Sequence, residues 1–176
     1  GPMILKLKRT PGLYLVGFMG SGKTTVGALV ADELGWTFCD LDSDIEAAQN
    51  MRIADIFDQR GEAPFRAIES EMLHDKIKLV QRGRPMVIAL GGGAFAQQSN
   101  RDLLDENGVT VWLDCEFETV RKRIGEPQHR PLARDPAALA ELFERRRDAY
   151  ARADFRIDAT PDAATVCSAI LKLPIF

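Results

Sequence analysis

Eight residues near the start of the chain carry the strongest chemical signal. Gly17-Phe18-Met19-Gly20-Ser21-Gly22-Lys23-Thr24 matches GxxxxGK[ST] at every fixed position. Glycines let backbone N–H groups close on phosphate oxygens, and a helix N-terminus adds positive potential. In this pattern Lys23 reaches the β- and γ-phosphates, and the Thr24 hydroxyl ligates Mg²⁺. The motif alone implies only a nucleoside triphosphate. Asn50, Asn100 and Asn107 are the chain's asparagines and none precedes a lysine, so the NKxD guanine reader of GTPases is missing. Asp105-Glu106-Asn107-Gly108 spells DxxG, but in isolation. There is no LSGGQ-like transporter signature. A small-molecule kinase is the remaining simple reading.

The acceptor side is read from acids, arginines and glycines. In Phe38-Cys39-Asp40-Leu41-Asp42 alternate residues share a strand face, so Asp40 and Asp42 are expected to point together toward the cradle. One acid can hold Mg²⁺ through water while the other accepts from a substrate hydroxyl. Asp44 continues the alternation if the strand runs on; alternatively, one or more of these acids cap the next helix. Arg66 and Glu69 lie one turn apart and either pair on a wet face or aim Arg66 at a substrate carboxylate. Gly91-Gly92-Gly93 is either a tight turn or a set of backbone donors. Arg130-Pro131-Leu132 lies in a loop well placed to close over phosphates. In the run Arg145-Arg146-Arg147 the residues alone do not choose among the three, although Arg146 and Tyr150 share a helix face.

These groups need a scaffold. Short apolar runs predict strands over 13–16, 36–39, 86–90, 109–113 and 155–157. Helices are expected over 23–34, 53–57, 63–80, 116–124, 137–153 and 161–173, with a loop over 125–136. Such alternation implies parallel strands covered by helices on both faces, with ligands at the carboxyl ends of the strands. Val109 to Asp114 also reads as four apolar residues and an acid, and Asp114 is expected to cap the following helix.

Composition closes off other classes. The 176 residues are 45% hydrophobic and 28% charged with net charge −3, so no basic field draws in nucleic acid. A single domain over 3–176 is expected, with Gly1-Pro2 read as a tag remnant. Cys39, Cys115 and Cys167 form no CxxC pair and suit a reducing cytoplasm. With His74 and His129 the only histidines, a Cys/His zinc site is not expected. No apolar run reaches membrane-spanning length.

Taken together, the motifs resemble the shikimate kinase family. The resemblance rests on Gly17–Thr25, on Phe38-x-Asp40-x-Asp42 followed by Ile45-Glu46, and on Ile56-Phe57. It continues through Gly61-Glu62-x-x-Phe65-Arg66-x-x-Glu69, Leu90-Gly91-Gly92-Gly93-Ala94, Arg130-Pro131-Leu132 and Arg146-x-x-x-Tyr150. It implies an α/β, three-layer P-loop NTPase fold with a five-stranded parallel sheet and a lid over about 125–136. The implied reaction is ATP-dependent phosphorylation of the 3-hydroxyl of shikimate, with Mg²⁺, by a monomer.

Residue by residue, the resemblance implies that Gly20, Ser21, Gly22, Lys23, Thr24 and Thr25 hold ATP, with Arg123 stacked on adenine. Thr24 and Asp40 serve the metal. Asp42 binds shikimate hydroxyls and is the candidate base. Arg66 and Arg146 clamp the carboxylate, Gly92 and Gly93 offer backbone contacts, and Phe57 and Phe65 wall the ring. Arg130 reaches both substrates. Two features depart from the family: Leu41 replaces a small hydroxyl residue, and Asp42-Ser43-Asp44 offers a competing frame in which Asp44 takes the role of Asp42. The alternatives are a gluconate-kinase-like enzyme and a kinase-like ligand sensor without catalysis.

Overall fold

Strand β1, Gly12–Val16, is buried along its whole length, as a central parallel strand requires. The computed structural model describes residues 11–124 and 135–176. Around β1 lie β2 (Thr37–Asp40), β3 (Met86–Ala89), β4 (Val109–Asp114) and β5 (Phe155–Asp158) in the order β2-β3-β1-β4-β5. Every pairing is parallel, and Leu15 sits between Ala89 and Val111. The chain crosses from one side of β1 to the other, so loops leaving the carboxyl ends of β1, β3 and β4 frame one crevice.

Helix α1, Lys23–Leu34, enters through Gly22 at φ 92° and leaves through Gly35 at φ 69°. No side chain caps its first turn, which leaves N–H groups directed into the crevice. Beyond β2 the chain forms α2 (Leu41–Gln49), α3 (Ile53–Arg60) and α4 (Glu62–Gln81). After β3 come a 3₁₀ turn (Ala94–Ala96) and α5 (Gln98–Glu106). Helices α6 (Phe117–Ile124), α7 (Pro136–Tyr150) and α8 (Ala163–Leu171) complete the described elements.

The strand expected to reach Asp42 stops at Asp40, so it does not run on to Asp44. The Asp40 carboxylate accepts the Ser43 N–H at 3.1 Å and caps α2, whose first turn holds Asp42 and Asp44. Acids at those positions favour the helix over a longer strand. Leu41 and Ile45, four residues apart, bury the inner face. Helix α5 was not legible as periodic apolar sequence, because only Asn100 and Leu104 of its residues are buried. Pro136 belongs to α7 rather than to the preceding loop: Asp135 accepts from Ala137 and Ala138 N–H at 3.1 and 3.2 Å, with proline in the first turn. The remainder of the expected lid, including Arg130, lies outside the described residues. Among those described, no helix is long and apolar enough to cross a membrane.

Candidate active site

The loop after β1 folds into a cradle because three glycines take positive φ, 152° at Gly17, 80° at Gly20 and 92° at Gly22. A Cβ on Gly17 would fall 2.7 Å from the Leu113 carbonyl oxygen. Lys23 Nζ turns back over the loop, donating to the Gly17 and Phe18 carbonyls at 2.6 and 3.0 Å. The Thr24 hydroxyl donates to Asp40 Oδ2. One hydroxyl and one carboxylate thus meet at the cradle's mouth, a hard-oxygen donor pair that fits Mg²⁺ with phosphate and water completing its shell. Beside the cradle, the Arg123 guanidinium donates to the carbonyls of Ala159, Thr160 and Pro161 at 3.1, 3.0 and 3.3 Å. It borders a cavity that Thr25 and Pro161 also line.

On the other side of the crevice the three glycines after β3 each face a different side chain. A Cβ on Gly91 would fall 2.8 Å from Asp42 Oδ2. One on Gly92 would lie 3.6 Å from both an Arg146 guanidinium nitrogen and the Tyr150 hydroxyl oxygen. One on Gly93 would fall 2.7 Å from Arg66 Cζ. Absent side chains therefore let the turn lie against one acid and two arginines. Exchanging Gly93 for Ala is expected to displace Arg66 and raise KM for the molecule bound against it about tenfold, since overpacking costs about 1–3 kcal/mol. Steady-state kinetics with unchanged KM for the cosubstrate of the phosphate cradle checks this.

Burial pushes the Asp42 carboxyl up to about 6; Lys23 and Arg66 oppose that, while Asp40 and Glu46 add to it. Asp44 faces elsewhere, accepting from Lys76 at 2.8 Å and from the Cys39 thiol at 2.9 Å. Of the two competing frames, the fold therefore turns Asp42 into the crevice and Asp44 out of it. Arg66 donates to Glu69 at 2.9 Å, and Glu69 is only 1% exposed. Burial raises the Glu69 carboxyl above its ordinary value even though Arg66 opposes it. The Arg66 guanidinium lies 5.8 and 5.3 Å from the ring centres of Phe57 and Phe65, whose own centroids are 4.7 Å apart.

Among the described residues, the buried side-chain nitrogens and oxygens that make no hydrogen bond are Ser21 Oγ, Asp42 Oδ1 and Arg66 Nε. Native interiors rarely leave such atoms without partners. Ser21 Oγ lies in the phosphate cradle and Asp42 Oδ1 beside Gly91, while Arg66 Nε is ion-paired with Glu62 at 3.7 Å.

Asp114 does not cap α6, which starts at Phe117. It is buried at the end of β4, and its two oxygens accept from Arg147 at 2.8 Å and Arg156 at 2.6 Å. The same contact sorts the arginine run: Arg147 goes to Asp114, and Arg146 is left facing Gly92. Asn100 has a structural role that its sequence context does not announce. Fully buried, it donates to the Ala94 carbonyl and accepts from Ser70, each at 3.0 Å, bracing the segment after the glycines. A single asparagine on a polar helix gives no sequence signal for that role.

Residues 19–173 match the family described as Shikimate kinase. A shikimate kinase from Sulfurihydrogenibium sp. is 42% identical over 148 residues, covering 84% of this chain and 87% of that protein. The solved shikimate kinase from Acinetobacter baumannii, in complex with shikimate, superposes with a TM-score of 0.86 at 34% identity, over 97% of this chain and 96% of that one. The shikimate kinase from Aquifex aeolicus gives 0.81 at 35% identity, over 91% and 94%.

Proposed function

The chain belongs to the shikimate kinase family, and from that membership we propose how its residues move phosphate from ATP to shikimate. The activity is ATP-dependent phosphorylation of shikimate, a phosphotransferase step of the shikimate pathway. The observation that supports the residue assignment is the pair of buried oxygens without hydrogen-bond partners, Ser21 Oγ in the cradle and Asp42 Oδ1 beside Gly91, which a phosphate group and a substrate hydroxyl would satisfy.

In this reading Gly20, Ser21, Gly22, Lys23, Thr24 and Thr25 hold the ATP phosphates, and Arg123 flanks the base. Thr24 and Asp40 would hold Mg²⁺, which would supply neutralising charge to the phosphates. Arg66 and Arg146 grip the shikimate carboxylate, a match for guanidinium forks. Gly92 and Gly93 lend backbone contacts, and Phe57 and Phe65 supply apolar wall. These grips set the 3-hydroxyl against Asp42, which takes its proton as that oxygen bonds to the γ-phosphorus and ADP departs. Lys23 stabilises the charge that develops on the transferred group. Arg130 is assigned to both substrates on its motif alone. Three free, buried cysteines suit a cytoplasmic setting. Leu29 and Phe176 are the exposed large hydrophobics among the described residues, a small number that suits a monomer.

ADP release from MgATP, followed by a coupled assay, tests the acceptor. Shikimate is expected to support turnover at about 1–100 per second. Gluconate and the carboxamide of shikimate are expected to support little. Equal rates with gluconate would contradict the carboxylate-and-hydroxyl site described.

A further inference from the structure

Helix α7 carries Arg146 into the acceptor site, yet its neighbours Arg145 and Arg147 have the same charge and reach. Something must fix which of them turns inward. Two contacts on this helix do so. The Arg147 guanidinium lies over the Trp112 and Phe143 rings, at 5.0 and 5.7 Å, and donates to buried Asp114 at 2.8 Å. Three residues further on, the Tyr150 hydroxyl donates to the Gly92 carbonyl at 2.5 Å. Its ring is 1% exposed and lies 6.1 Å from the ring of Trp112. One contact ties α7 to the end of β4, and the other ties it to the glycine turn after β3.

We propose that Tyr150 and Arg147 are positioning residues for shikimate, locking α7 so that the Arg146 guanidinium is held over Gly92. The Tyr150 proton goes to the Gly92 carbonyl, and its oxygen and an Arg146 guanidinium nitrogen each lie 3.6 Å from where a Gly92 side chain would begin, so hydroxyl and arginine converge on the same turn. Burial pushes the Tyr150 hydroxyl up to about 12, with Arg146 opposing, so it stays a donor across the working pH range. Engaging the Gly92 carbonyl also fixes the orientation of the peptide units around it. The inference rests on the assignment of Arg146 to the carboxylate made above.

The test measures KM for shikimate, KM for ATP and kcat in Tyr150→Phe, Arg147→Met, Arg146→Ala and the double variant Tyr150→Phe/Arg146→Ala. Phe keeps the ring and removes one hydroxyl; Met keeps packing against Trp112 and Phe143 and removes the charge. Tyr150→Phe is expected to raise KM for shikimate about three- to tenfold, the worth of one hydrogen bond. KM for ATP and kcat are expected to hold. In the Arg146→Ala background the same exchange is expected to add nothing, because it acts through that arginine. Arg147→Met is expected to shift KM for shikimate in the same direction. If Arg146→Ala raises KM for shikimate but Tyr150→Phe and Arg147→Met leave it unchanged, the positioning role is overturned. It is also overturned if the Tyr150→Phe effect persists in full beside Arg146→Ala. A flat response to Arg146→Ala itself would overturn the carboxylate assignment, and the positioning role with it.

Discussion

Replacing Asp42 by Asn is expected to cut kcat by about 10²–10⁴-fold, the usual worth of a placed general base, while making the free enzyme more stable. The two effects share one cause. Asp42 is held near Lys23 and Arg66, but burial outweighs them and lifts its carboxyl from 3.8 to about 6. A carboxyl whose folded value lies above its unfolded value binds its proton more tightly when folded. The folded state is therefore penalised above about pH 6, and the penalty fades as pH falls from 6 toward 4. At pH 8 the penalty is about 1–3 kcal/mol. Asn carries no charge and removes it, so Tm should rise at pH 8, with the gain shrinking near pH 4. In the wild type, kcat/KM should climb as pH rises through about 6, and the Asn variant should lose that limb. Asp44, engaged by Lys76 and Cys39, is expected to tolerate Asn with kcat retained. A stable Asp42→Asn enzyme with full kcat would remove Asp42 from the chemistry.

Exchanging Arg66 for Ala is expected to cause the largest combined loss of binding and stability. It strips the partner from Glu69, an almost fully buried carboxylate, at about 3–5 kcal/mol. It also removes a charged grip on the shikimate carboxylate, worth about 1.5–3 kcal/mol and hence roughly 10- to 100-fold in KM. Companion variants separate the two effects. Glu69→Gln keeps an acceptor 2.9 Å from Arg66 and should change KM for shikimate far less. Arg66→Leu combined with Glu69→Leu replaces the pair by apolar side chains and should recover most of the stability, but none of the affinity. Urea unfolding and shikimate titrations read the two quantities independently. Recovery of affinity in the Leu pair would show that Arg66 only supports the fold.

The phosphate cradle was legible because its chemistry is local. Backbone conformation at Gly17, Gly20 and Gly22 and the reach of Lys23 are set within eight consecutive residues. Asp40 and Asp42 share the crevice, as their alternation predicts, but not through that alternation. They share it because Asp40 ends the strand and caps a helix, while Asp42 in the first turn leans back toward Gly91; strand alternation plays no part. The choice among the three arginines was not legible, since it depends on Asp114 and Trp112, more than thirty positions away along the chain. Nor was the role of Asp114 itself. An acid after an apolar strand reads equally as a cap, a metal ligand or an ion-pair partner until β5 and α7 bring Arg156 and Arg147 to it. The parallel strands were readable from their apolar runs, whereas α5 was hidden by its polar surface.

Phosphorus NMR of the mixture of enzyme, MgATP and shikimate is the most direct single experiment on this account. The arrangement of Lys23, Asp42, Arg66 and Arg146 predicts one new phosphomonoester, on the 3-hydroxyl of shikimate, formed in step with ADP. Inorganic phosphate in its place, or an ester on another hydroxyl, would contradict the orientation that these residues are assigned to impose.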